Sequence, residues 1–193
     1  MELKDNKIIA IEKIPSEIDK FALRFLKILE KYTKYVVILG YVSILLGRSR
    51  ATEDIDVFIK PLNLGAFSQL YKELNNNGFW CINAEKEEEI YDYLKNDLAV
   101  RFSEINTYSP NFEIKYPKDD LDEETFSNYL TVILKIGKIK ISSLERQIAF
   151  KKYYLKSDKD IEDALHIEEL FKDKIDYDKV NKYRALIKLK RKL

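Results

Sequence analysis

A single cysteine, Cys81, and a single histidine, His166, set the first limits on this chain. One cysteine cannot form an internal disulfide and accords with a reducing compartment. Together the two residues cannot furnish a standard zinc site. No apolar run approaches the roughly 20 residues needed to cross a bilayer, and the N-terminus, MELKDNKIIA, lacks the apolar centre of a signal peptide. A soluble, cytoplasmic protein with no membrane partner is therefore expected. Charge of one sign is also lacking. Lys and Arg number 34 against 33 Asp and Glu, for a net charge of +1, so only a local patch could attract a nucleic acid. Glycine is scarce, at five residues, and proline scarcer, at four. Each is therefore informative as punctuation.

What is present suffices for one substantial core, since 46% of the 193 residues are hydrophobic. Ser16-Glu17-Ile18-Asp19 opens a helix that runs to about Tyr32, with Ile18, Phe21, Ala22, Phe25, Leu26 and Leu29 at helical spacing. The run YVVIL, 35–39, suits a strand buried on both faces. Gly40 ends it, YVSILLG makes two helical turns, RSRAT is a loop, and DIDVFIK alternates as a second strand stopped by Pro61. A helix over 64–76 ends at the NNNG breaker. Strands are expected at 79–83, 98–104 and 111–116, with an acidic helix over 85–96. A Pro- and Asp-rich loop follows, and 130–142 reads as one bent strand or a tight hairpin. The texture then turns helical, with capping-box spacing at Ser142-Ser143-Leu144-Glu145 and at Ser157-Asp158-Lys159-Asp160. Helices are expected near 143–155 and 158–172, and a basic one over 177–192. The expected organisation is an α/β (α+β) core over 1–142, a mixed sheet flanked by helices, with a C-terminal helical region over 143–193.

The chemistry concentrates in one stretch. In a strand, residues i and i+2 face the same way, so Asp54 and Asp56 project together while Ile55 and Val57 face the core. Two adjacent carboxylates repel unless a cation lies between them. A hard divalent ion, Mg²⁺ or Mn²⁺, takes oxygen ligands and borrows others from substrate phosphates. Gly40 lies between a strand and a helix start, a setting that favours an anion. Arg48 and Arg50 lead into the acids and could meet phosphate. Glu113 is the first candidate for a third metal-binding acid, Glu104 the second. The plain alternative is a solvated strand face. His166 and Cys81 read as packing residues, and the run EKEEE as a solvated helix face.

The order strand, glycine, short helix, Arg-x-Thr, D-x-D strand and later strand acid resembles the nucleotidyltransferase superfamily typified by DNA polymerase beta. The closer likeness is to small stand-alone members, including the toxin nucleotidyltransferases of abortive-infection systems. Their pattern, roughly G-G-x-A, then G-x-x-R-x-T-x-D-[IL]-D, appears here as LGYVSILLGRSRATEDIDVFI, with Gly40, Gly47, Arg50, Thr52, Asp54 and Asp56 in place. In the helical part, LERQIAFKKYYLKSDKDIEDALHI puts Lys151 on the family's helix lysine, and Lys159, Asp160 and Asp163 on its K-D-x-x-D segment. Two departures stand out: Leu39 replaces the first glycine, and the third acid is Glu rather than the commoner Asp. Tyr41 follows Gly40 directly, and Ser43 could supply a hydroxyl.

The resemblance implies that Asp54, Asp56 and Glu113 hold Mg²⁺ and that a nucleoside monophosphate passes from a nucleoside triphosphate to an acceptor hydroxyl. Gly40, Tyr41, Ser43, Arg48, Arg50, Thr52, Lys151, Lys159, Asp160 and Asp163 would form the nucleotide site. The acceptor would be an RNA (tRNA) end, a protein or a small molecule. A toxin would also imply an antitoxin partner. Two other readings compete: a non-catalytic nucleotide- or partner-binding module with the same fold, and an RNA-binding protein acting through its basic last helix (Lys182, Arg184, Lys188, Lys190, Arg191 and Lys192).

Overall fold

A computed structural model of the chain describes residues 1–4 and 7–191. Among the described residues nine strands form a single mixed sheet: β1 Glu2–Lys4, β2 Ile8–Ala10, β3 Tyr35–Ile38, β4 Asp54–Ile59, β5 Phe79–Cys81, β6 Val100–Glu104, β7 Asn111–Lys115, β8 Tyr129–Leu134 and β9 Gly137–Ser142. Their spatial order is β1-β2-β8-β9-β3-β4-β7-β6-β5. Among the described residues there are also eight α-helices, α1 Glu17–Leu29, α2 Gly40–Leu45, α3 Leu64–Asn76, α4 Glu87–Lys95, α5 Asp120–Glu123, α6 Leu144–Phe150, α7 Asp158–Leu170 and α8 Tyr177–Lys190, and a 3₁₀ turn at Glu124–Phe126.

The expected elements are all present with trimmed ends, apart from Lys192, expected at the end of the last helix, which lies outside the described residues. The ambiguous 130–142 stretch is a hairpin, β8 to β9, with Leu134 opposite Gly137. A Cβ on Gly137 would sit 2.8 Å from Leu23 Cδ2, so glycine lets α1 close onto the turn. The expected helix over 143–155 is α6 followed by a π-helical turn, Lys151–Leu155, which ends at Lys156 in the left-handed region (φ 61°). Not expected among the described residues were β1, β2, the short α5 and the 3₁₀ turn at Glu124–Phe126.

Alternation in β4 and β7 divides the sheet into two faces. Ile55, Val57, Phe112 and Ile114 point into the main core. There Phe25 of α1 stacks on Phe112 at a centroid distance of 4.0 Å, and Phe21 stacks on it at 5.1 Å. The opposite face carries the acids, and farther along it a small cluster of Val36, Ile38 and Phe58. α1 is secured at its start by a reciprocal cap between Ser16 and Asp19. The C-terminal helices share the main core through Ile148, Ile167, Val180 and Ile187. No helix among the described residues is long and apolar enough to cross a membrane.

Candidate active site

The parallel pairing of β4 with β7 sets Asp54 opposite Asn111, Asp56 opposite Glu113 and Phe58 opposite Lys115. Each of these residues lies on the face away from the main core, because i and i+2 share a face. Asn111 Nδ2 donates to Asp54 Oδ1 at 2.7 Å. Thr52 Oγ1 donates to the Asp54 carbonyl at 3.0 Å, fixing the strand's entry. Lys115 Nζ lies 3.0 Å from Asp56 Oδ1 and 2.5 Å from Glu113 Oε1. Arg101, opposite Glu113 on β6, places Nε and Nη2 at 2.9 and 2.7 Å from Glu113 Oε2.

These contacts set the site's electrostatics. Burial pushes the Asp56 carboxyl above its ordinary range; the Lys115 ammonium draws it back down, while the Glu113 and Asp54 charges add to the rise. Burial acts on Glu113 in the same sense, but Lys115 and Arg101 outweigh it and hold that carboxyl low. Asp54 and Asp56 suit a hard divalent ion: they are oxygen donors on one face, and among the described residues each is engaged at Oδ1 alone. Glu113 does not suit it, because both its oxygens are occupied by cations. Among the described residues no group of three His, Cys, Asp or Glu side chains is arranged to hold a metal ion, which departs from the expected three-acid set.

A cleft of about 290 Å³ opens beside Lys115, between the acid-bearing face and the C-terminal helices. Ile38, Leu39 and Phe58 line it on the sheet side, and Phe150, Tyr154 and Leu155 on the helical side. Arg146 lies on its wall, ion-paired to Asp122 at 3.0 Å with its guanidinium 4.1 Å from the Phe150 ring centre. A larger hollow of about 480 Å³, between β8 and α8, contains none of the acids discussed here. The smaller cleft reaches the carboxylate-bearing face through Phe58 of β4 and Lys115 of β7.

No protein-family model and no curated protein sequence matches the chain. Solved structures do. An antigenic nucleotidyltransferase-like protein from Paracoccidioides brasiliensis is 16% identical, with 88% of this chain and 86% of that one covered at a TM-score of 0.53. The antibiotic-resistance factor ANT(2'')-Ia is 14% identical, with coverage of 92% and 95% and a TM-score of 0.56. The lincomycin-bound lincosamide antibiotic adenylyltransferase LnuA is 16% identical, with coverage of 82% and 99% and a TM-score of 0.51. This chain has the nucleotidyltransferase fold.

Within this nucleotidyltransferase fold the other expected site residues divide into three groups. The first surrounds the turn after β3. Leu39 takes φ 60°, ψ −129°, a backbone conformation that glycine adopts readily and a leucine resists. Leu39 thus stands, where the sequence pattern has glycine, in a backbone conformation suited to one. At Gly40 a Cβ would lie 2.5 Å from Arg50 Nη2, so this glycine accommodates the arginine.

The second group is a buried latch. Asp163 of α7 is fully buried and gathers three cations: Lys151 Nζ at 2.8 Å, Arg50 Nη2 at 3.1 Å and Arg48 Nε at 3.5 Å. Lys151, also fully buried, reaches Asp160 at 3.4 Å, and Arg48 pairs with Glu162. These residues, expected at a nucleotide, join the 48–52 loop to α7. His166 reinforces the join, its Nε2 lying 3.1 Å from the Leu46 carbonyl at the end of α2.

The third group points elsewhere. Tyr41 is fully buried in the core and donates to Asp19 Oδ1 at 2.8 Å. Ser43 is fully buried, and its hydroxyl has no partner among the described residues. Both corrections share one cause: the inner face of α2 must pack on the sheet. Lys159 is exposed on the first turn of α7. Sequence reasoning missed Asn111, Lys115 and Arg101. The i+2 rule that paired Asp54 with Asp56 would also have placed Lys115 beside Glu113, and Asn111 on the same face; Arg101 needed the strand register.

Proposed function

We propose that the chain is a metal-dependent nucleotidyltransferase that moves a nucleoside monophosphate from a nucleoside triphosphate to an acceptor hydroxyl, releasing pyrophosphate. The observation that carries this reading is the placement of Asp54 and Asp56 together on the face of β4 turned away from the main core, in a nucleotidyltransferase fold. Asp54 and Asp56 would hold Mg²⁺ or Mn²⁺. When bound, such an ion neutralises phosphate charge and makes pyrophosphate a better leaving group.

The chain's own residues supply alignment and charge. Asn111 and Thr52 fix Asp54 in orientation. Lys115 faces the cleft and offers positive charge to an entering phosphate. The latch of Arg48, Arg50 and Asp163 stabilises the loop that delivers the acids. With the reactants so positioned, catalysis rests on orientation and electrostatics.

The small, largely apolar cleft favours a small hydroxyl-bearing acceptor over a polymer, since its volume of about 290 Å³ lies near the low end for ligand sites, about 300–1,000 Å³. The names of two neighbours, an antibiotic-resistance factor and a lincosamide adenylyltransferase, support that choice. An RNA or protein acceptor, with an antitoxin partner, follows from the toxin-type resemblance alone.

The test is incubation with each α-labelled nucleoside triphosphate and Mg²⁺ or Mn²⁺, with a panel of small polyols and aminoglycosides or with total tRNA. Label should pass to an acceptor with release of pyrophosphate. Asp54→Asn and Asp56→Asn should each lower the rate by on the order of 10² to 10³, the effect of losing a dedicated transition-state contact, with little change in melting temperature. Undiminished transfer in either variant would refute the assignment. A second reading, a non-catalytic nucleotide-binding module, is favoured by the cations on Glu113 and by Leu39 in the glycine position. Its mark would be nucleotide binding without pyrophosphate from any combination.

A further inference from the structure

We infer that Lys115 is a built-in counter-cation occupying the position between Asp56 and Glu113, so that the acid cluster accepts one divalent ion, on Asp54 and Asp56, and not two. This rests on the transferase reading of the same acids. Its basis is the distribution of contacts over Glu113. Lys115 takes Oε1, at 2.5 Å, and Arg101 takes Oε2 with two donors, at 2.7 and 2.9 Å. Lys115 also reaches Asp56, at 3.0 Å. A bridging metal needs lone pairs from both acids, and here an ammonium holds them.

Backbone and charge both favour this arrangement. Lys115 is two residues beyond Glu113 on β7 and opposite Phe58 on β4, so strand geometry alone turns its side chain onto the acid face. An ammonium is a compact point charge with three donors, suited to two carboxylates at once. Three carboxylates against two fixed cations leave a single net negative charge. One divalent ion reverses that charge modestly. A second would give the cluster three net positive charges before any substrate arrived.

The readout is ion count and affinity, independent of turnover. Free Mn²⁺ would be followed by electron paramagnetic resonance as the full-length chain is titrated with Mn²⁺ alone. The wild type should bind one equivalent at the acids, and Asp54→Asn should lose it. Lys115→Met, with a side chain of similar length and no charge, should take up a second equivalent or bind the first at least about tenfold more tightly, since a full charge a few Å away has gone. Lys115→Arg, which keeps the charge, should count as wild type. If Lys115→Met does not fold, as judged by circular dichroism, Lys115→Gln serves in its place.

Two equivalents in the wild type, lost in Asp54→Asn, would overturn the inference, and so would an unchanged count and affinity in the uncharged variant. Either result leaves the transferase reading intact, because nucleotide transfer is judged separately by pyrophosphate release. Absence of Mn²⁺ binding in every protein would overturn the inference as well, and the metal-dependent part of the transferase reading would then fail only if transfer also proved indifferent to a chelator.

Discussion

At the scale of single residues, the molecule places strain and buried charge beside its acids. Leu39, at φ 60°, occupies a region that costs a non-glycine residue about 1–3 kcal/mol. Truncation alone removes its contact with the Val36, Ile38 and Phe58 cluster, so Leu39→Ala and Leu39→Gly share that loss. Only glycine relieves the backbone. Urea denaturation should therefore find Leu39→Gly more stable than Leu39→Ala by about 1 kcal/mol or more, the reverse of the usual order for exposed helix and strand positions. An alanine variant at least as stable would disprove the strain.

Asp19 makes the pH argument. Burial alone would raise its carboxyl, but the Lys13 ammonium, the Ser16 N–H and hydroxyl and the Tyr41 hydroxyl more than offset this and hold it low. A carboxyl depressed on folding adds stability that is complete above its unfolded value, near 4, and that is lost as pH falls through the folded one. Asp19→Asn should thus melt lower than wild type at pH 7, by an amount equivalent to about 1.5–3 kcal/mol, and the two melting curves should converge in acid below pH 4. Parallel curves at all pH values would remove Asp19 from the acid limb. The acids themselves were legible because D-x-D at strand spacing is a local pattern. Tyr41 was not: a residue directly after the glycine turn can face the cleft or the core, and only the packing of α2 decides between them.

At the scale of elements, the decisive feature is the join between the 48–52 loop and α7. Asp163 neutralises Lys151 where neither meets solvent. Removing one partner of a buried pair strands the other, at about 3–5 kcal/mol. Asp163→Ala should therefore lose about that much stability in urea titrations. Lys151→Met should cost clearly less, since Asp163 keeps Arg48 and Arg50. Equal losses would show that the arginines do not share the charge. The resemblance marked Lys151, Lys159, Asp160 and Asp163 together; Lys151 pairs with both aspartates, while Lys159 is exposed. The contact of Asp163 with the arginines across more than a hundred residues was not readable, because helix periodicity speaks of neighbours on one helix and not of what docks there. Strand length explains the other omissions. β1 and β2 have three residues each, too few for alternation to register. The β8–β9 turn, Lys135-Ile136, lacks the Asn-Gly or Asp-Gly signal of a tight hairpin, which left its form open.

At the scale of the whole molecule, the question is whether the change of texture after residue 142 divides the protein. β9 ends at Ser142 and α6 begins at Leu144, so the element type changes there. Packing runs across it. Ile148 and Ala149 of α6, Ile167 of α7 and Ile187 of α8 are all fully buried in the same cluster as Ile141 and Val37 of the sheet. Removing residues 143–193 would bare that cluster, so the first 142 residues should not fold by themselves, and the intact chain should unfold in one step despite exceeding the length at which intermediates become common. The single tryptophan makes the check direct. Trp80 lies on β5, the sheet edge far in strand order from β9, and its indole N–H donates to the Glu104 and Thr107 carbonyls. Its fluorescence therefore reports the sheet, while far-ultraviolet circular dichroism is dominated by the helices. Denaturation curves from the two probes should coincide. If ellipticity falls at a lower urea concentration than tryptophan fluorescence changes, the helical part opens first, and the wall of the cleft formed by Phe150, Tyr154 and Leu155 would be a separately mobile jaw and not a fixed surface.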